Sequence, residues 1–342
     1  MTQVNKIYNT DALKGLQNMK AESIDCVVTS PPYWGLRDYG VKGQIGLEKT
    51  FEEYIHKLML IFDEVKRVLK TTGTVWVNLG DTYGGSNCGY GQSENSSGFQ
   101  NVVKQKYYPT SNGKPLASKI FPKSLIGIPY RFVLAMIDKG WMLRNTIIWQ
   151  KPNAMPESVR DRFTNDFEYL FFFTKSKQYH FKQQYEDFLS NEYDMERMRK
   201  GRKEYDGKWK GNTNKKEHKI RARQSAFVAG NAEGRNKRTV WEINTKPFKD
   251  AHFAVFPEEL ITIPIKAGCP KNGIVLDPFM GSGTTAVVAQ KLGRKFIGLE
   301  LKPAYIKIAN KRIAQSLNGN MSKSELRLEA LAIETELKLL TL

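Results

Sequence analysis

Short apolar runs rich in β-branched residues punctuate this chain, and longer stretches of helical spacing lie between several of them. The runs predict strands near residues 5–9, 24–28, 73–79, 145–149 and 168–173. Two more are predicted near 273–277 and 295–299, about a hundred residues further on. From Thr50 to Leu69 the apolar positions Tyr54, Leu58, Ile61, Phe62, Val65 and Leu69 recur at helical spacing, so this segment predicts a helix packed on a core. Ala286–Gln290 continues as a helix directly after the strand at 273–277. Strands alternating with helices point to the α/β class with a mostly parallel sheet. Between Gly84 and Gly113 the chain is rich in Gly, Ser and Asn without periodicity, which predicts a long loop. The tail from Ser322 to Leu340 has leucines and Ile333 at helical spacing, an amphipathic C-terminal helix docked on the core or on a second copy. No internal repeat is visible.

Two strand ends carry chemistry. The strand at 24–28 runs into Thr29-Ser30-Pro31-Pro32-Tyr33-Trp34. Consecutive prolines cannot continue a sheet ladder or enter a helix interior, so the chain turns rigidly there. In open α/β sheets ligands bind at the carboxyl ends of the strands. A hydroxyl, a fixed carbonyl and an aromatic face therefore meet at an expected site rim. The second strand end is Asp277-Pro278-Phe279-Met280-Gly281-Ser282-Gly283-Thr284-Thr285, a glycine-rich turn opening a helix. Glycines allow backbone to approach a nucleotide-like ligand closely. The lysine of a phosphate-binding loop is missing before Thr284. A dinucleotide fingerprint tolerates Ala286 at its third glycine position, so the glycines leave that cofactor open. Glu300, ending the next strand, is placed to accept ribose hydroxyls in either case.

Ser-Pro-Pro-Tyr together with Asp-Pro-Phe-x-Gly-Ser-Gly-Thr-Thr resembles the amino-methyltransferases of DNA. The catalytic motif comes first and the glycine loop about 250 residues later, which is similar to the circularly permuted β group of that family. Further segments fit the same pattern: Ile7–Leu13, Gly73–Asp81, Asn145–Pro152 and His252–Leu260. The resemblance implies a Rossmann-like, mostly parallel sheet with helices on both faces, circularly permuted, plus a smaller target-recognition insertion. It divides the chain into a catalytic half at 1–174, a target-recognition region at 175–245, a cofactor-binding half at 246–320 and a C-terminal helix at 321–342. The loop at 84–113 would be a mobile lid over DNA.

The implied cofactor is S-adenosyl-L-methionine. Asp277, Phe279, Gly281, Ser282, Gly283 and Thr284 are implied around its methionine portion and Glu300 at the ribose. Asp11 is implied near the adenine, with Phe256 and Pro257 packing from a closing segment. Ser30 Oγ and the Pro31 carbonyl would accept the two amino hydrogens of a flipped-out base, Pro32 would stiffen the turn, and Tyr33 would stack on the ring. In the family the serine form goes mostly with the N4 amino group of cytosine, so site-specific N4-cytosine methylation is expected, with N6-adenine as the first alternative. An RNA or protein-glutamine methyltransferase and a non-catalytic nucleic-acid-binding protein with the same core are further alternatives. A thiolate mechanism on the cytosine ring is disfavoured, because neither Cys26, Cys88 nor Cys269 follows a proline.

Charge supplies the partner. The formal net charge of +18 and pI near 9.6 point to a polyanion. Residues 175–238 hold 18 Lys or Arg against 9 Asp or Glu, half of the whole excess. Aromatics interleave with bases there, and Lys208, Trp209, Lys210, Arg221 and Arg223 are the expected contacts to double-stranded DNA. A cognate restriction endonuclease and a homodimer are left open. No run reaches the roughly 18 apolar residues of a membrane span. Three widely spaced cysteines argue against a disulfide framework, and no Cys-x-x-Cys or His cluster suggests a metal. A cytoplasmic, metal-free enzyme is expected.

Overall fold

The computed structural model describes residues 3–84, 110–111, 114–115, 123–187, 235–246 and 255–318. By its contacts the chain forms two compact units, Met1–Lys182 with Thr239–Leu342, and Gln183–Arg238. The first unit holds an eight-stranded sheet. Its strands are β1 (Lys6–Asn9), β2 (Ile24–Thr29), β3 (Leu69–Leu79), β6 (Met142–Gln150), β7 (Phe167–Thr174), β10 (Val240–Glu242), β11 (Ile274–Asp277) and β12 (Lys295–Glu300). The spatial order is β1-β12-β11-β2-β3-β7-β6-β10. Only β7 runs against its neighbours; every other pair in this sheet is parallel. Two small antiparallel pairs lie outside this sheet, β4 (Thr110–Ser111) with β5 (Lys114–Pro115) and β8 (Tyr185–Glu186) with β9 (Arg235–Asn236).

Alternation along the strands splits the core into two layers. Val27, Val75, Val77, Phe171 and Phe173 point into one cluster, and Cys26, Val28, Trp76, Leu170 and Phe172 into the other. The first is roofed by α1 (Ala12–Gln17), α2 (Phe51–Val68) and α3 (Ile128–Asp138), the second by α4 (Glu258–Gly268), α5 (Thr284–Lys291) and α6 (Pro303–Asn318). Both faces of the sheet are thus covered, as the Rossmann-like expectation requires. Across the second layer Trp76 stacks on Phe172 with ring centroids 4.0 Å apart.

The helix expected at 50–69 forms as α2, with Thr50 as its N-cap accepting from Glu53 N at 3.2 Å. Acids in its first turn (Glu52, Glu53) and bases in its last (Lys66, Arg67) suit the helix dipole. Leu69 has extended backbone and begins β3 four residues before the predicted strand start. The expected insertion at 175–245 is wider than the second compact unit. β10 falls inside that range yet pairs with β6, and its Trp241 is buried in the second core layer. Three residues are too few to show periodicity, so β10 could not be read from sequence. The loop at 84–113, apart from Gly84 and Thr110–Ser111, and the helix at 321–342 lie outside the described residues.

Candidate active site

The carboxyl ends of β2, β3, β6, β11 and β12 reach one edge of the sheet. Because β7 is antiparallel, its amino-terminal end comes to that edge as well. There they frame a cavity of about 320 Å³. Of the expected site residues, Ser30, Pro31, Pro32 and Tyr33 line it from the β2 side. Asp11, Phe256, Phe279, Gly281, Ser282, Thr284 and Glu300 line it from the other. Two motifs about 250 residues apart therefore share a single cavity.

A buried hydrogen-bond bridge joins the two halves. Thr29 Oγ1, at the end of β2, donates to Asp277 Oδ1, at the end of β11, at 2.6 Å. Thr285 Oγ1 donates to Asp277 Oδ2 at 2.6 Å, and Phe279 N donates to Oδ1 at 3.0 Å. Asp277 is 1% exposed, and burial raises its carboxyl to about 6 despite these donors. It is not among the residues that line the cavity, and its carboxylate braces the ends of β2 and β11. Gly283 also turns away from the cavity. Its φ is +83°, and a Cβ there would sit 2.7 Å from Ala309 Cβ, so this glycine is needed for close packing of α6. Pro257 is likewise absent from the lining and occupies the N-cap position of α4. Gly281 is the glycine that meets open space: φ is +54°, and nothing but Phe279 O lies within 4 Å of an added Cβ.

Glu300 closes the loop from β12. Its Oε2 accepts from Gly281 N at 2.8 Å and its Oε1 from Lys302 N at 2.7 Å, while burial raises its pKa. Asp11 caps α1 by accepting from Lys14 N at 3.1 Å. Behind the glycine loop Arg312 of α6 donates to Ser282 O, Ser282 Oγ and Thr284 Oγ1 at 2.8, 3.0 and 2.9 Å. One guanidinium thus holds two hydroxyl residues of the loop, Ser282 and Thr284.

Opposite lies a polar cluster. Tyr54 OH donates to Pro32 O at 2.9 Å, pinning the proline turn to α2. The Tyr33 ring lies against Gly80, where an added Cβ would be 2.7 Å from Cε2. Tyr33 OH lies 2.6 Å from Glu168 Oε2 and 3.1 Å from Asn78 Oδ1. Burial raises the Tyr33 pKa well above its ordinary value, and Glu168 adds to that, so this phenol stays neutral. Asn78 Nδ2 donates to Glu168 Oε2 at 3.0 Å and to Tyr169 O at 3.1 Å, and Ser30 Oγ lies 3.4 Å from Asn78 Oδ1. Lys151 Nζ holds Glu168 Oε1 and sits 4.7 Å over the Trp149 ring. Sequence patterning does not single out Asn78, Lys151, Glu168 or Arg312. The signal for Asn78 and Glu168 is a lone polar residue next to an otherwise apolar strand run.

Cys26 is fully buried in β2, where burial pushes its thiol well up, and Cys269 is pushed up to about 12 by the same cause. Neither lines the cavity. Among the described residues no group of three His, Cys, Asp or Glu could hold a metal, and no helix is long and apolar enough to cross a membrane. Lys208, Trp209, Lys210, Arg221 and Arg223 lie outside the described residues.

The family described as DNA methylase matches residues 24–311. The Type II methyltransferase M.Cfr9I of Citrobacter freundii is 41% identical over 307 residues, covering 90% of this chain and 87% of that protein. M.SmaI of Serratia marcescens, also a Type II methyltransferase, is 39% identical and covers 90% of each. Among solved structures, the cytosine-N4-specific PvuII DNA methyltransferase superposes with a TM-score of 0.58 at 20% identity, covering 96% of this chain and 91% of that one. A Thermus thermophilus protein described as a putative DNA modification methylase, solved with S-adenosyl-L-methionine, gives a TM-score of 0.54 at 20% identity, covering 91% and 93%. At such identity these two likenesses speak for the fold.

Proposed function

Because this chain belongs to the DNA methylase family, we propose that it methylates the exocyclic N4 amino group of cytosine in double-stranded DNA. S-adenosyl-L-methionine would supply the methyl group as a sulfonium. The observation that carries the reading is the shared cavity, with the proline turn at one side and the Gly281–Glu300 loop at the other. The cavity's chemistry fits the cofactor. An acid at Glu300 suits a ribose diol, the open backbone at Gly281 suits a close approach, and the rings of Phe279 and Phe256 suit packing against the apolar surfaces of the cofactor.

An exocyclic amino nitrogen is a weak nucleophile, because its lone pair is delocalised into the ring. Ser30 Oγ and the Pro31 carbonyl accept its two hydrogens, making the nitrogen more tetrahedral and turning the lone pair toward the methyl carbon. The bound sulfonium would supply an electrophilic methyl group and keep the electron pair of the bond it gives up, and the extra proton on the amino nitrogen would leave to solvent. The rigidity of two consecutive prolines, with Pro32 O pinned by Tyr54, keeps these acceptors fixed during transfer. Tyr33 packs against the extruded base. Choice of cytosine rests on Ser30: its hydroxyl is a neutral acceptor, and the serine form of the motif goes mostly with cytosine in the family. The basic stretch at 175–238 supplies the contacts to DNA and, with them, the recognition of sequence.

Transfer of a labelled methyl group to DNA, RNA and protein in parallel filter assays tests the class. Label is expected in DNA alone and to be lost in Ser30→Ala with cofactor still bound. Label in RNA or protein and none in DNA would overturn the reading.

A further inference from the structure

We propose that Glu168 is a positioning residue that sets the Ser30 hydroxyl as an acceptor, acting through Asn78 and Tyr33. The proposal rests on the reading that Ser30 accepts an amino hydrogen of the target base. For that task the hydroxyl's single proton must point away from the cavity, leaving its lone pairs to face the base. A serine alone does not meet this condition, since its hydroxyl rotates freely.

The polar cluster behind it decides the orientation. Asn78 is 3% exposed, and the chemistry of its neighbours decides which way its amide faces. Two acceptors, Glu168 Oε2 at 3.0 Å and Tyr169 O at 3.1 Å, fix the Nδ2 side, so Oδ1 is turned to Ser30. Glu168 Oε2 also accepts from Tyr33 OH at 2.6 Å, a shorter contact than the 3.1 Å to Asn78 Oδ1. With its proton directed to Glu168, Tyr33 leaves Asn78 Oδ1 to the Ser30 hydroxyl. Ser30 therefore has an inward acceptor for its one proton, and Asn78 Oδ1 cannot donate back to it. Lys151 occupies Glu168 Oε1, which keeps Oε2 turned to the pair it orders. An ionised carboxylate suits this place because it can only accept; an amide there would bring an N–H against Asn78, Tyr33 or Lys151.

The arrangement makes a compensating exchange testable in the full-length protein. Asn78→Asp sets a carboxylate against Glu168 with no proton between them, and kcat should fall about 100-fold, the scale seen when one preorganised group is lost. Glu168→Gln keeps side-chain volume and should lower kcat at least about tenfold. When both substitutions are combined, the introduced amide donates to the introduced carboxylate, which again accepts from Ser30. The kcat of this double variant should exceed that of Asn78→Asp by about tenfold or more, staying below wild type because Tyr169 O loses its donor. KM for S-adenosyl-L-methionine should stay within about threefold throughout, since the cluster lies on the other side of the cavity. Rescue together with an unchanged KM is the expected result. A double variant no faster than Asn78→Asp would overturn the proposal. So would Glu168→Gln with unchanged kcat, or with a loss confined to KM. Wild-type protein that leaves DNA unmethylated would instead overturn the reading on which the proposal rests.

Discussion

Replacing Asp277 by Asn tests the bridge that joins the two halves of the site. Asparagine keeps the shape: its Oδ1 can still accept from Thr29 and Phe279, and its Nδ2 can donate to the Thr285 hydroxyl, which only needs to rotate. What it removes is a buried negative charge. Burial moves this carboxyl from its ordinary 3.8 to about 6 in the folded protein. At about 1.4 kcal/mol per pH unit, ionising Asp277 in the folded state costs roughly 3 kcal/mol. A folded pKa above the unfolded one gives stability that is fully present below the unfolded value. It is lost as pH rises and is gone above the folded value. Wild-type stability relative to Asp277→Asn should therefore fall by about 3 kcal/mol between about pH 4 and pH 7 and then level off. Urea unfolding followed by tryptophan fluorescence across that range, with both proteins side by side, measures this difference. Other titrating groups cancel in the subtraction. A difference that is flat, or that rises with pH, would show that Asp277 is not held in this desolvated bridge.

Three further outcomes follow from the same geometry. Glu300→Ala removes a carboxylate that organises Gly281 and Lys302 and faces the cavity; with charged hydrogen bonds contributing about 1.5–3 kcal/mol each, cofactor affinity by calorimetry should drop about 10- to 150-fold while DNA affinity holds. Gly80→Ala places a Cβ 2.7 Å from the Tyr33 ring, so thermal unfolding should show a loss of about 1–3 kcal/mol and kcat should fall with it. Cys26→Ala should keep methyl transfer, because that thiol is buried in the core away from the cavity; a protein that folds and binds cofactor yet transfers nothing would revive a thiolate mechanism.

Much of this site was legible from sequence because its parts are local. The proline turn and the glycine loop each follow a compact apolar strand, and strand ends of a parallel sheet converge on one edge. Side-chain direction was not legible. Asp277 and Gly283 sit in the glycine motif, yet one braces Thr29 and the other accommodates Ala309, and only the packing of β2 and α6 shows it. The cluster of Asn78, Lys151 and Glu168 draws on β3, β7 and the residue just past β6, and its meaning arises from β7 running antiparallel between β3 and β6. Helix α3 starts at Gly127 with φ of +77°, and its first N–H groups are taken by Asp81, 46 residues earlier in the chain, so no local capping residue marks it. The charge excess at 175–238 was plain in the composition, but composition does not order the contacts it would make.

The identity of the methylated base bears most directly on this reading of the site. Duplex DNA incubated with the protein and isotopically labelled S-adenosyl-L-methionine, digested to nucleosides and resolved by mass spectrometry, reports it. Labelled N4-methyldeoxycytidine is expected, and it should vanish with Ser30→Ala. Label found only in N6-methyldeoxyadenosine would refute the assignment of cytosine.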